Sequence, residues 1–244
     1  MRIASAFGLL WDIVRLPIIV VRLFINPKNI EPIFKLGTFR NHRSFKVSAE
    51  KIASDPGMMA MVESRYLSED PIVVENLEKL PDGTLGREFA RFIQSNQLDP
   101  DFYVERREIL EDEFVYVRKR CPQTHDIWHV VIGVGPEGLG EMKISAFYAA
   151  QIRSPFNTLY VGIGLFYVLF REPERIGDFF DAVTEGWILG KNAKPLLAMR
   201  WEEMWERSLV EIRRDLNLPA QASGVAAFHA VLPDAESGSS ARSQ

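Results

Sequence analysis

Apolar residues in this chain recur at every third or fourth position, the spacing that lines one face of a helix, and no stretch keeps the two-residue alternation of a half-buried strand. Residues 45–80 read as one or two short helices, broken near Asp55, Pro56 and Gly57. Pro81, Asp82 and Gly83 make a turn, after which Thr84 is placed to cap a helix whose Leu85, Phe89, Phe92 and Ile93 share a face. Residues 97–101 break it, and from about Ile109 a further pattern runs through Phe114, Val115 and Val117. Residues 142–152 are helical in pattern, as is the segment carrying Ile176, Phe179, Phe180, Val183 and Trp187. A last helix is predicted to place Trp201, Met204, Trp205, Leu209 and Ile212 on one face and to stop at Asn217, Leu218 and Pro219. There is no internal repeat, and no Rossmann or P-loop glycine pattern follows a strand. The expected fold class is all-α: a compact multi-helix bundle of seven to nine helices, with a site between them and an N-terminal membrane-associating segment.

A chain of 244 residues is long enough for one substantial core and short for two. Residues 1–44 are expected to form an amphipathic, membrane-associating segment and connector, 45–219 a helical domain that is expected to bind metal for the reasons given below, and 220–244 an Ala-, Ser- and Gly-rich tail expected to be disordered. A formal net charge of −4 excludes the basic field that nucleic-acid binding needs. Cys121 is the only cysteine, so no disulfide forms within the chain, which fits a reducing compartment.

Two apolar stretches bear on the membrane. Residues 5–25 are rich in aliphatic side chains, but Asp12, Arg15 and Arg22 interrupt them and Pro17 sits among them, so an interfacial segment fits better than a span. Folding back onto the domain's own core is the other reading. Residues 154–170 carry no charge, yet Gly162 and Gly164 weaken them as a spanning helix. A buried or membrane-dipping helix is expected there, offering an apolar surface to a long hydrocarbon ligand.

The chemistry concentrates in residues 121–143. His125 and His129 are four apart, which on a helix puts both imidazoles on one face, close enough to share a metal ion. Asp126 lies on a neighbouring strip, able to reach the ion or to orient a ligand. The helix should end soon after Ile132 in the glycine-rich turn that follows, and Glu141 then opens the next helix with its carboxylate pointing back at the histidines. Two imidazoles and up to two carboxylates suit a divalent ion, zinc or iron(II) first. Spacing alone leaves other readings open: a structural histidine pair, a relative of the H-E-x-x-H peptidases, or a phosphohydrolase with an H-D dyad. Cys121 sits four before His125, but Pro122 after it argues against a shared register, and it reads as a small buried residue.

These residues resemble the family of coenzyme Q biosynthesis protein four, whose signature is H-D-x-x-H, eleven residues, then E. His125, Asp126, His129 and Glu141 meet it in full. The likeness extends to LPDGTLGREFARFI at 80–93 and to RWEEMWERSLVEIRRDLNL at 200–218. It implies a peripheral membrane protein of ubiquinone biosynthesis that removes the ring carboxylate of a polyprenyl-hydroxybenzoate, simply or with replacement by a hydroxyl. Such an enzyme is a carbon-carbon lyase. The resemblance also implies that His125, Asp126, His129 and Glu141 are the metal ligands and the catalytic residues. The motif does not choose between zinc and iron(II), and so not between plain and oxidative decarboxylation. Expected partners are the polyprenylated aromatic substrate, membrane lipid, the other ubiquinone biosynthesis enzymes and a second copy in a homodimer. The expected location is the cytoplasmic face of the bacterial inner membrane, or the matrix side of the mitochondrial inner membrane in a eukaryote. A non-catalytic, lipid-binding scaffold organising those enzymes is the alternative function.

Overall fold

The structure, a computed structural model, describes residues 43–68, 70–100 and 113–220. The N-terminal membrane-associating segment and most of its connector, the helix start near Ile109 and the C-terminal tail lie outside the described residues. Within them are nine α-helices: α1 Arg43–Ala53, α2 Pro56–Ser64, α3 Val74–Leu77, α4 Leu85–Asn96, α5 Glu113–Ile132, α6 Leu139–Ile152, α7 Pro155–Arg171, α8 Ile176–Asn192 and α9 Leu209–Asp215. No strand occurs among the described residues, which bears out the all-α bundle.

Helix starts follow local chemistry. Asp55 caps α2 by accepting from the Met58 N–H at 2.9 Å, and Pro56 occupies the first turn where its missing donor costs nothing. Thr84 caps α4 as its sequence position predicts, its hydroxyl oxygen accepting from the Arg87 N–H at 3.4 Å. Gly83 N–H reaches forward to Glu88 Oε1 at 3.0 Å, so two otherwise orphaned donors are met. The apolar stripe of α4, Leu85, Phe89, Ala90 and Ile93, then turns into the core.

α6 is the axis of the bundle: every residue from Met142 to Ile152 is buried. α8 packs against it so closely that a β-carbon on Gly186 would collide with the Lys143 carbonyl oxygen, while one on Gly190 would stand 2.7 Å from the Phe147 carbonyl. Hydrogen at those positions is what lets the two backbones approach. The principal core gathers Phe89 of α4, Trp128 of α5, Phe147 of α6 and Trp201. A smaller cluster of Met142, Val168 and Phe179 joins α6, α7 and α8.

The predicted last helix is in fact two pieces. Trp201–Glu203 is a single 3-10 turn, and α9 begins only at Leu209. The intervening backbone is used elsewhere: Trp205 O and Arg207 O accept from Gly86 N and Leu85 N at 2.8 and 2.9 Å, and Leu209 N donates to Gly83 O at 2.8 Å. Those bonds, across the start of α4, replace the ladder a continuous helix would have made.

Candidate metal centre

α5 runs unbroken through Pro122, so His125 and His129 do stand one turn apart on one helix. The helix ends where Gly133 takes φ +80°, a conformation that penalises a β-carbon, and the Gly133 and Val134 N–H groups both donate to the His129 carbonyl at 2.8 and 3.0 Å. From α9, Arg213 donates through Nε to Val131 O and through a terminal nitrogen to Val130 O, both at 2.9 Å. It thereby satisfies the last-turn carbonyls of α5 from outside the helix. Burial lowers the Arg213 pKa, and the charge of Glu88 opposes that fall. Arg213→Ala leaves both carbonyls without that partner, and a loss of about 3 kcal/mol is expected in urea unfolding. The neighbouring exposed Arg214→Ala should stay within about 0.5 kcal/mol of the parent.

The turn brings Val134 O to 3.2 Å from His129 Nδ1. A carbonyl can only accept, so Nδ1 carries a proton and Nε2 is turned to the other side. There His125 Nε2 lies at 3.1 Å from His129 Nε2, and Glu141 Oε1, in the first turn of α6, lies 3.2 Å from His129 Nε2 and 3.6 Å from His125 Nε2. Ligand atoms bound at about 2.05 Å around a tetrahedral ion are separated by about 3.3 Å, so the three atoms stand where one divalent ion would need them. His125, His129 and Glu141 form the one group of candidate metal ligands found among the described residues.

The electrostatics agree with the geometry. Burial alone would raise the Glu141 pKa, but the charges of His125 and His129 and their hydrogen bonds hold its carboxyl well below the usual carboxylate range. Burial opposes protonation of His125, yet Glu141 and then Asp126 outweigh it and push its pKa up. Asp126 lies outside the trio, half-buried; burial chiefly raises its pKa, with the histidines pulling down and Glu141 adding a small push upward. Cys121 is also outside, and burial pushes its thiol up to about 12, which leaves it protonated and a poor ligand. His129 is wholly buried, whereas His125 and Glu141 are 21% and 22% exposed, so the trio opens along the edge between those two.

Several residues around the trio escaped the sequence reading. Phe92 of α4 stacks on the His129 ring at 5.6 Å, and Tyr148 of α6 lies along the His125 ring at 6.0 Å. Tyr148 was within reach of the pattern, since it is two turns from Glu141 on the same helix. Burial, and then the charge of Glu141, raises the pKa of Tyr160 on α7, which keeps it a neutral phenol near the site. Nothing in the local sequence marks Phe92, Val134 or Arg213.

The family profile of coenzyme Q (ubiquinone) biosynthesis protein Coq4 matches residues 18–221. The chain belongs to that family. Coq4 proteins act in ubiquinone biosynthesis, and the described part of this one, with all four motif residues, falls inside the matched span. Among curated relatives, the mitochondrial COQ4 homologue of Homo sapiens is 30% identical over 80% of this chain and 73% of its own length. That of Danio rerio is 29% identical over 79% and 71%. The fold matches the crystal structure of a protein from Nostoc punctiforme PCC 73102 with a TM-score of 0.72 and 23% identity, covering 82% of this chain and 94% of that one. No helix among the described residues of this Coq4 protein is long and apolar enough to cross a membrane, including the uncharged stretch of α7.

Proposed function

We propose that this Coq4 protein removes the ring carboxylate of a polyprenyl-hydroxybenzoate at a divalent ion held by His125, His129 and Glu141. The observation that carries this reading is the convergence of two imidazole Nε2 atoms and one carboxylate oxygen on a single point, with an open edge. Zinc or iron(II) suits two imidazoles and a carboxylate, and when bound would supply a Lewis acid for the charge that builds on the ring, iron(II) also permitting oxygen chemistry. The chain's part is to hold that donor set. Val134 fixes the His129 tautomer, and Asp126 adds negative charge beside both histidines, which favours a dication. In plain decarboxylation the bond to the carboxylate breaks, its electron pair stays on the ring carbon, and a proton takes the place of carbon dioxide. In the oxidative form, loss of carbon dioxide with gain of a ring hydroxyl from water would release two electrons, which dioxygen would take up as hydrogen peroxide.

The apolar cluster of Met142, Val168 and Phe179 begins at the residue after Glu141, and Phe166, Leu169, Phe170 and Phe180 lie exposed on the same two helices, α7 and α8. This side of the trio suits a polyprenyl tail, since each methylene taken out of water contributes about 0.8 kcal/mol. A substrate of that kind resides in the bilayer. On this reading the protein works peripherally on the membrane that holds its substrate, beside the other enzymes of the pathway. The test is carboxylate loss from a prenylated hydroxybenzoate, followed in air and under nitrogen. The wild type should turn over and Glu141→Gln should be slower by more than about 100-fold. Equal turnover by the variant would leave only the scaffold.

A further inference from the structure

The two imidazoles of the trio are held in different ways. His129 is fixed twice, by the Val134 carbonyl at Nδ1 and by Phe92 against its face. His125 directs Nε2 into the trio and makes no hydrogen bond through Nδ1 to any described residue. What lies along it is Tyr148, with 22° between the two ring planes. Tyr148 in turn lies face to face on Trp128, with ring centroids 4.2 Å apart and 13° between planes, and its hydroxyl donates to the Cys121 carbonyl at 3.2 Å, one turn before His125. Tyr148 and Trp128 are buried, while His125 is partly exposed. The three rings thus form a stack between α5 and α6 whose outer member is a candidate metal ligand.

A histidine's second side-chain torsion is broad, so a partly exposed imidazole turns unless something bears on its face or holds its second nitrogen. Metal-ligating histidines usually have the second nitrogen held by a carboxylate or carbonyl. His129 follows that pattern and His125 does not. We infer that Tyr148 is the positioning residue for His125, its ring setting the imidazole plane and so the direction in which Nε2 faces the ion. This inference rests on the metal reading above. Trp128 backs the tyrosine ring, and the Cys121 carbonyl keeps it from sliding along α5.

Cobalt(II) is the probe, added to metal-free protein and followed through its visible absorption band, with circular dichroism reporting the fold. Tyr148→Phe keeps the ring face and should retain the wild-type band. Tyr148→Leu removes the face and should alter the band and weaken cobalt binding by about 10- to 100-fold. Tyr148→Met serves the same purpose if the leucine variant does not fold. Phe147→Leu, one residue earlier and packed edge-on against Trp128 at 6.0 Å, also loses core packing but should leave the cobalt band unchanged. A Tyr148→Leu or Tyr148→Met protein with wild-type band and affinity would overturn the inference, as would a Phe147→Leu protein altered to the same extent. Failure of the wild type to bind cobalt at all would instead remove the metal reading on which it stands.

Discussion

Gly186→Ala is expected to destabilise the protein by about 3 kcal/mol, a large effect for the addition of one methyl group. The added β-carbon would meet the Lys143 carbonyl oxygen, then its carbonyl carbon at 2.8 Å, and neither is the movable end of a side chain. α8 would have to lift from α6, and α6 is the buried axis that presents Glu141. Gly186→Leu should abolish the cooperative unfolding transition. Gly177, on the same helix, has open space where a β-carbon would stand, with nothing within 4 Å, so Gly177→Ala should be neutral or stabilising by up to about 1 kcal/mol. Thermal and urea unfolding of the two alanine variants separates close approach from helix propensity. Equal midpoints would show that α6 and α8 do not pack at this distance.

Glu202→Ala is expected to cost about 3–5 kcal/mol. Arg120 of α5 is 1% exposed and makes a two-pronged contact with Glu202, its two terminal nitrogens donating at 2.5 and 3.0 Å. The same nitrogens also donate to Gln123 Oε1 and Met199 O. Removing the carboxylate strands a buried cation with only neutral acceptors, and that uncompensated charge dominates the cost. Because much of the penalty belongs to the orphaned partner, the double variant Arg120→Met with Glu202→Leu should be more stable than Glu202→Ala alone. Urea unfolding of the three proteins decides it. A Glu202→Ala protein within about 0.5 kcal/mol of the wild type would mean the pair is solvated and contributes little.

The candidate site was legible in the sequence because its elements are local. Four-residue spacing on α5 and a glycine-rich reversal bring His125, His129 and Glu141 together with no help from distant segments, and the structure joins them within 4.8 Å. What surrounds the trio was not legible for the opposite reason. Phe92 and Arg213 reach α5 from elements far away in the chain, and a hydrophobic or basic residue carries no sign of which distant group it will meet. The missed break after Trp201 has both causes. Trp201, Met204, Trp205, Leu209 and Ile212 keep a near-helical spacing whether or not the backbone is continuous, and the interruption is imposed by the bonds to Gly83, Leu85 and Gly86. A local signal was nevertheless present: Ser208 followed three residues later by Glu211 is a capping sequence, and the Ser208 hydroxyl oxygen does accept from the Glu211 N–H at 3.5 Å.

Metal analysis of the purified protein beside His129→Ala tests the central claim most directly. His129 is the wholly buried member of the trio, and its Nε2 is the atom closest to both other ligand atoms. The account predicts about one divalent ion per chain in the wild type and almost none in the variant, with both proteins giving the same helical circular dichroism. Equal metal content in the two proteins, or a wild type that takes up neither zinc nor iron(II), would contradict it.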